Sequence, residues 1–262
     1  MLHFDLTDHY HAYDSRLHRL DPRAKVVLTL GAILTASLTP PGVWWAFAIL
    51  WGMVLLACWG SGLGAFFSLR RSYLALPFAL AALPLPFTVP GETLFSVPVL
   101  GWTGSVEGAV RLGSIFLRTW IAVQAAILLT ATTNFPDLLW ALGALRLPRT
   151  LVSTIGFMYR YLFVLADEAL RMLRARASRS TRLPGARRAT AAWQARVAGG
   201  MIGSLFLRAI ERAERVYAAM LSRGYDGATR NLQAFHMRPR DWAWLFTVGA
   251  ALAALVTAAH VV

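Results

Sequence analysis

Cysteine is all but missing from this sequence: Cys58 stands alone inside an apolar run, so neither an intramolecular disulfide nor a cysteine metal cluster can form. Acidic residues are scarce as well, with 13 Asp and Glu against 26 Lys and Arg and a net charge of +13. No Gly-x-x-x-x-Gly-Lys-Ser/Thr loop occurs, which excludes the familiar cradle for nucleotide phosphates. His-Glu-x-x-His is absent too. The polar, His-rich stretch from Met1 to Asp21 contains no apolar region before a cleavage site, so it does not read as a signal peptide and is expected to stay on the mature protein.

What the chain has in excess is apolar surface: 57% of its 262 residues are hydrophobic, only 15% are charged, and the mean hydropathy is +0.51. Crossing a bilayer takes about 20 apolar residues. Five segments approach that length: Lys25–Leu38, Val43–Trp59, Tyr73–Val89, Ile115–Thr133 and Trp242–His260. The turn Thr39-Pro40-Pro41-Gly42 predicts a helical hairpin from the first two. Pro77, Pro84 and Pro86 predict a kinked third span packed inside the bundle. The Gly- and Pro-rich stretch from Pro90 to Gly108 carries Glu92 and Glu107 but no Lys or Arg, and reads as an external loop.

Charge gives the orientation. Arg16, Arg19, Arg23 and Lys25 precede the first span, and Arg70 and Arg71 precede the third. Between Asn134 and Arg240 there are 18 Arg and no Lys against six acids, a net +12. Positive charge beside apolar spans is retained on the cytoplasmic side. The expected layout is therefore a cytoplasmic segment 1–24, transmembrane helices 25–133, a cytoplasmic region 134–241 and a final span 242–262. The N-terminus lies inside and the C-terminus outside. Arg111 and Arg118, near the outer end of the fourth span, must snorkel or face the bundle.

The region 134–241 is too periodic for a disordered tail. Leu151, Ile155, Met158, Leu162, Leu165, Ala169 and Met172 recur in steps of four and three, as do Ile202, Leu205, Ala209, Ala213, Val216 and Met220, after a break. Two long amphipathic helices follow, preceded by a shorter one that Asn134 can cap. Ser178 to Arg196, with Pro184-Gly185, reads as a polar connector. Gly199, Gly200 and Gly203 would allow two helices to cross closely. The fold class is all-α: a polytopic membrane bundle of about five spans with a cytoplasmic coupling region of long amphipathic helices.

Each long helix ends in a small-Arg-small triplet, Ala175-Arg176-Ala177 and Ser222-Arg223-Gly224, and each arginine continues its apolar stripe. Small flanking residues let a partner approach, and the planar guanidinium presents paired donors to a carboxylate or carbonyls. Taken singly, either triplet is also what a helix C-terminus needs, since positive charge suits the dipole there. Two copies at corresponding ends favour docking.

These triplets belong to a larger set of motifs. It comprises Leu17-His18-Arg19-Leu20-Asp21-Pro22-Arg23-Ala24-Lys25, Phe135-Pro136-Asp137-Leu138-Leu139-Trp140-Ala141-Leu142, Phe157-Met158-Tyr159-Arg160-Tyr161, Asp167-Glu168, Leu205-Phe206-Leu207-Arg208, Glu211-Arg212-Ala213 and Ser222-Arg223-Gly224-Tyr225. With them, nearly the whole chain resembles the transmembrane T component of energy-coupling factor (ECF) transporters, specifically the cobalt-type CbiQ group. The resemblance implies two crossed coupling helices whose Ala-Arg-Gly-like ends seat in grooves on a pair of ABC-type ATPases. It also implies a membrane part that grips a substrate-binding S component, with room for a further small membrane subunit, in the lipid of the bacterial inner membrane. Cobalt uptake, as cobalamin biosynthesis requires, is the implied task; a nickel or vitamin importer is the near alternative. Ala177 stands where Gly is usual and Ser222 where Ala is usual, and Ala177 favours a helix running slightly past Arg176.

Other constellations are weaker. His3, His9, His11 and His18 follow no ligand spacing and read as a solvated segment, so no metal or cofactor site is expected. Asp167 and Glu168, amid Arg160, Arg171 and Arg174, read as members of i,i+3 or i,i+4 pairs such as Asp167 with Arg171, and Glu211 with Arg208 and Arg215 likewise. Asp21 and Pro22 read as a helix start. An intramembrane enzyme is disfavoured, because the spans hold no Asp or Glu and only His260 at the last end. A permease that binds its own substrate would dock through one short helix. Nucleic-acid binding would call for aromatic residues interleaved among the arginines.

Overall fold

The computed structural model describes residues 15, 17–62, 64–90, 92–97, 102–179, 190–227 and 235–261. His3, His9, His11 and Pro184-Gly185 of the expected connector lie outside them. Two compact units emerge, one containing Arg146–Leu232 and the other Thr7–Leu145 with Gln233–Val262.

In the larger unit, α1 (Pro22–Leu38) starts as its sequence demands: Pro22 occupies the first turn, and the Asp21 carboxylate accepts the Arg23 N–H at 2.9 Å. A turn at Gly42 (φ +92°) leads into α2 (Trp44–Gly60). The expected third span is not one helix. After α3 (Ala65–Arg71), which precedes it, the segment is divided into a 3-10 turn (Ser72–Ala75), α4 (Leu76–Ala81) and α5 (Leu85–Thr88), with Pro77 and Pro86 in the first turns of the last two pieces. Each proline removes a donor that a continuous helix needs, so kinking goes as far as interruption.

The expected external loop contains the exception to an all-helical fold. β1 (Thr93–Val97) pairs antiparallel with β2 (Trp102–Ser105), with Val97 opposite Trp102 and an irregularity between Thr93 and Phe95. Ser105 then caps α6 (Val106–Thr132) by accepting the Gly108 N–H at 3.1 Å. α6 packs against α1, α2 and the interrupted segment, α7 (Phe135–Ala144) lies on α1, and α10 (Pro239–Val261) also lies on α1. Asn134 occupies the N-cap of α7 but makes no side-chain cap bond, contrary to expectation. Asp241 reaches back to the Arg238 N–H at 2.9 Å and starts α10.

Small and branched aliphatic side chains form the core around Phe47, among them Ala36, Ala46, Leu50, Ile121, Leu252 and Ala259. Polar groups point inward. Gln124 is 0% exposed and accepts from the Trp51 indole at 3.1 Å, Ser114 accepts the Gly42 N–H at 3.1 Å, and Arg118 donates to the Thr39 carbonyl. Arg118 thus faces the bundle instead of snorkelling. Large apolar residues meanwhile stand outside, Trp59 at 76% and Leu34 at 60% exposed, the arrangement a lipid solvent favours.

α6, with 27 residues, and α10, with 23, are long and apolar enough to cross a membrane; α2 is apolar but has only 17. The smaller unit contains α8 (Arg149–Arg179) and α9 (Ala191–Leu221), each 31 residues or about 46 Å long. The units part at Leu145 and Gln233, so α7 belongs with the bundle and not with the long helices.

Candidate coupling interface

The end of α9 is fixed by backbone geometry. Gly224 has φ +77°, the Tyr225 N–H donates to the Met220 carbonyl at 3.0 Å, and the Gly224 N–H donates to the Leu221 carbonyl at 3.0 Å. This is the Schellman pattern with Gly224 as the left-handed residue. Arg223 therefore sits on the last position before the chain turns away, exposed to solvent. The Tyr225 ring then meets Phe157 of α8 edge-on, with centroids 6.3 Å apart.

Arg176 is presented differently. α8 continues through Ala177 to Arg179, as the alanine predicts, and the half-buried Arg176 occupies its last turn. Ala175, Ala177 and Ser222 are exposed, so both arginines have only small neighbours along the chain.

What joins the two helices is an acid that the sequence assigns to a local pair. Glu168 accepts from Arg171 on its own helix at 2.5 Å and from Arg208 of α9 at 2.8 Å. Hydrogen bonds from Arg171 and then Arg208 hold the Glu168 carboxyl below its usual range, and Glu168 in turn raises Arg171. The local pair expected of these acids is thus made by Glu168 with Arg171, the Asp167 example giving way to it, and Arg208 turns across to α8 instead of along α9 to Glu211.

The two inter-helix contacts run in opposite order along the chains: Phe157 meets Tyr225, and Glu168 meets Arg208. α8 and α9 are therefore antiparallel. Arg176 lies beyond Glu168 by eight residues, about 12 Å of helix, and Arg223 lies beyond Arg208 by fifteen, about 22 Å. The guanidinium groups leave the pair on opposite sides of the bridge.

The apolar stripes are only partly used within the chain. Leu165, Ala169 and Met172 are half-buried, as are Leu205, Ala209, Val216 and Met220, but Met158 is 66% and Ile202 67% exposed. The glycines are a correction. A Cβ added at Gly199, Gly200 or Gly203 meets no atom within 4 Å, so these residues do not mediate the contact with α8. With Ile202, Phe206, Ile210, Tyr217 and Leu221 they form an outward-facing apolar side of α9.

Among the described residues, no three of His, Cys, Asp and Glu gather as metal ligands. His18 Nδ1 lies 2.7 Å from the Ser15 hydroxyl. In the bundle, sequence reading missed a second cluster: the Lys25 ammonium donates to the Thr132 carbonyl at 2.9 Å and the His18 carbonyl at 3.1 Å, while Arg23 lies 4.2 Å from the centre of the Trp140 ring. Burial raises the Asp137 carboxyl, an effect opposed by the Lys25 charge.

Comparison with known proteins places these features in context. The CbiQ family of cobalt transport proteins matches residues 14–234. Cobalt transport protein CbiQ of Rhodobacter capsulatus is 30% identical over 214 residues, covering 79% of this chain and 80% of that protein. The energy-coupling factor transporter transmembrane protein EcfT of Listeria innocua is 27% identical, covering 82% of each chain. Nickel permease LarQ of Lactiplantibacillus plantarum is 31% identical over 47% of this chain and 42% of its own length.

Proposed function

The chain belongs to the CbiQ family, the membrane components of ECF-type transporters, and on that premise we propose that it couples two ABC-type ATPases to a substrate-binding membrane subunit for cobalt uptake. The observation carrying this reading is the antiparallel α8–α9 pair, whose arginine ends lie on opposite sides of the Glu168–Arg208 bridge. Two ends pointing apart suit two equivalent grooves on two separate subunits. Arg176 and Arg223 insert as planar donors, and the Schellman turn and the small neighbours let the groove close around them. The outward apolar side of α9, with Gly199 and Gly203 four residues apart, receives the substrate-binding subunit, because glycines at that spacing admit a close helix.

Cobalt is favoured by the CbiQ relatives, and nickel is the second reading, favoured by the similarity to LarQ. Uptake of each ion in cells carrying the whole transporter separates them.

The docking proposal is tested with Arg176→Ala, Arg223→Ala and the double variant, and with Arg174→Ala and Arg215→Ala as controls of equal charge change. Truncating one partner of a buried charged hydrogen bond costs about 2–5 kcal/mol, so each single variant is expected to reduce ATPase co-purification by about tenfold or more, and the double variant to abolish uptake. Equal damage in the controls assigns the effect to general positive charge and removes the docking role.

A further inference from the structure

Two covalent connections flank the Arg146–Leu232 segment that carries α8 and α9, one leaving the bundle after Leu145 and one returning at Gln233. Five residues before the exit stands Trp140 on α7; two residues after the return stands Phe235. Their rings touch, with centroids 4.9 Å apart and planes inclined by 53°. The Arg23 guanidinium lies over the same Trp140 ring at 4.2 Å, and its Nε is buried with no hydrogen-bond partner. Arg23 therefore faces the indole through charge and π-electrons, and that part of its donor set has been given up.

Arg23 belongs to a first turn of α1 that is held on every side. Asp21 caps it from within the chain, and Lys25, two residues on, is 7% exposed and binds the Thr132 carbonyl at the end of α6. α1 itself packs against α6, α7 and α10. Anything that displaces Trp140 or Phe235 reaches the start of α1 through one ring.

We propose that Trp140, in contact with both Phe235 and Arg23, is the positioning residue through which both connections from the coupling helices act on the membrane bundle. The ring contact makes the outgoing and returning segments a single attachment. Arg23 passes their displacement to α1, and Lys25 passes it to the end of α6. Simple space-filling would be met by an aliphatic side chain and would not need a half-buried cation with an unpaired Nε. This inference rests on the coupling function proposed above.

The test uses the full transporter, with its ATPases and substrate-binding subunit, in proteoliposomes. Trp140→Ala and Arg23→Gln are compared with Trp140→Phe, which keeps a ring, and with their double combinations. We expect ATPase binding and hydrolysis to stay within about twofold of the native complex while uptake falls about tenfold or more in Trp140→Ala and Arg23→Gln. Trp140→Phe should recover uptake to within about threefold of native, and Arg23→Gln should add little to Trp140→Ala, because the two act on one contact. The readout that a merely structural residue would not move is uptake per ATP hydrolysed. If hydrolysis and uptake fall in proportion in Arg23→Gln, or if uptake is unchanged, the proposal is overturned. Should Trp140→Ala fail to assemble, Arg23→Gln and Trp140→Phe still decide it. Failure of the underlying coupling function looks different, since the native chain would then bind no ATPase.

Discussion

Gly224 decides where Arg223 is held. At φ +77° a side chain costs about 1–2 kcal/mol, and the two hydrogen bonds that close the α9 terminus depend on that conformation. Gly224→Ala is therefore expected to destabilise this terminus by about 1 kcal/mol and to weaken ATPase capture, whereas Gly224→Asn, a better left-handed residue, should be milder. Thermal unfolding in detergent and co-purification check both, and an alanine variant as stable as native would show that the turn is dispensable. At this scale the sequence was informative wherever a residue's own chemistry settles its place, as with Asp21 and Pro22 starting α1 or the glycine in the second triplet. It was silent where a long side chain chooses among partners. Glu168 has arginines within reach on both helices, and only the packing of α8 on α9 decides that Arg208 is one of them.

Between elements, the bridge from α8 to α9 carries a definite pH dependence. The Glu168 carboxyl is depressed by Arg171 and Arg208, so its contribution is present above the ordinary carboxylate range and is lost as pH falls through the lowered value. Spin labels on the two helices should report a fixed separation at neutral pH that broadens only on acidification below the ordinary carboxylate range, and Glu168→Gln should show the broad distribution at every pH. A variant that stays narrow at neutral pH would show that apolar contacts alone set the crossing. Helix positions and the long α8 and α9 were legible, because 3.6-residue periodicity and caps are local signals. Which face packs was not, because α8 also carries Phe157, Phe163 and Val164 off the chosen stripe, and lipid or a partner covers apolar residues as well as a core does. Gly199 and Gly203 signal close approach without naming what approaches. The strands went unread although Thr93–Val97 and Trp102–Thr103 are rich in β-branched and aromatic residues; Gly and Pro around them dominated the reading.

For the whole molecule, the topology rests on parity. Arginines precede α1 and fill the α8–α9 unit, and the charge rule expects both groups on the cytoplasmic side, which requires an even number of crossings between them. With α1 and α2 expected to cross beside α6, three are supplied, which leaves one for Ser72–Thr88, a stretch as long as α1 or α2 that holds the 3-10 turn, α4, a turn at residues 82–84 and α5. Helical segments of that size cover about 26 Å, enough for the roughly 30 Å hydrocarbon layer when their ends are shielded or the bilayer thins. The interrupted segment is thus expected to cross despite its prolines, putting the β1–β2 hairpin outside, the coupling helices inside and the end of α10 outside. Single cysteines in a Cys58→Ala background test this, the native thiol being 1% exposed. In intact spheroplasts a membrane-impermeant thiol reagent should label Glu92→Cys and Val261→Cys, and should reach Ser178→Cys only after permeabilisation. Protection of Glu92→Cys until permeabilisation would mean that the proline-broken segment turns back within the bilayer. The fourth crossing would then be missing, and the five-span arrangement would fail with it.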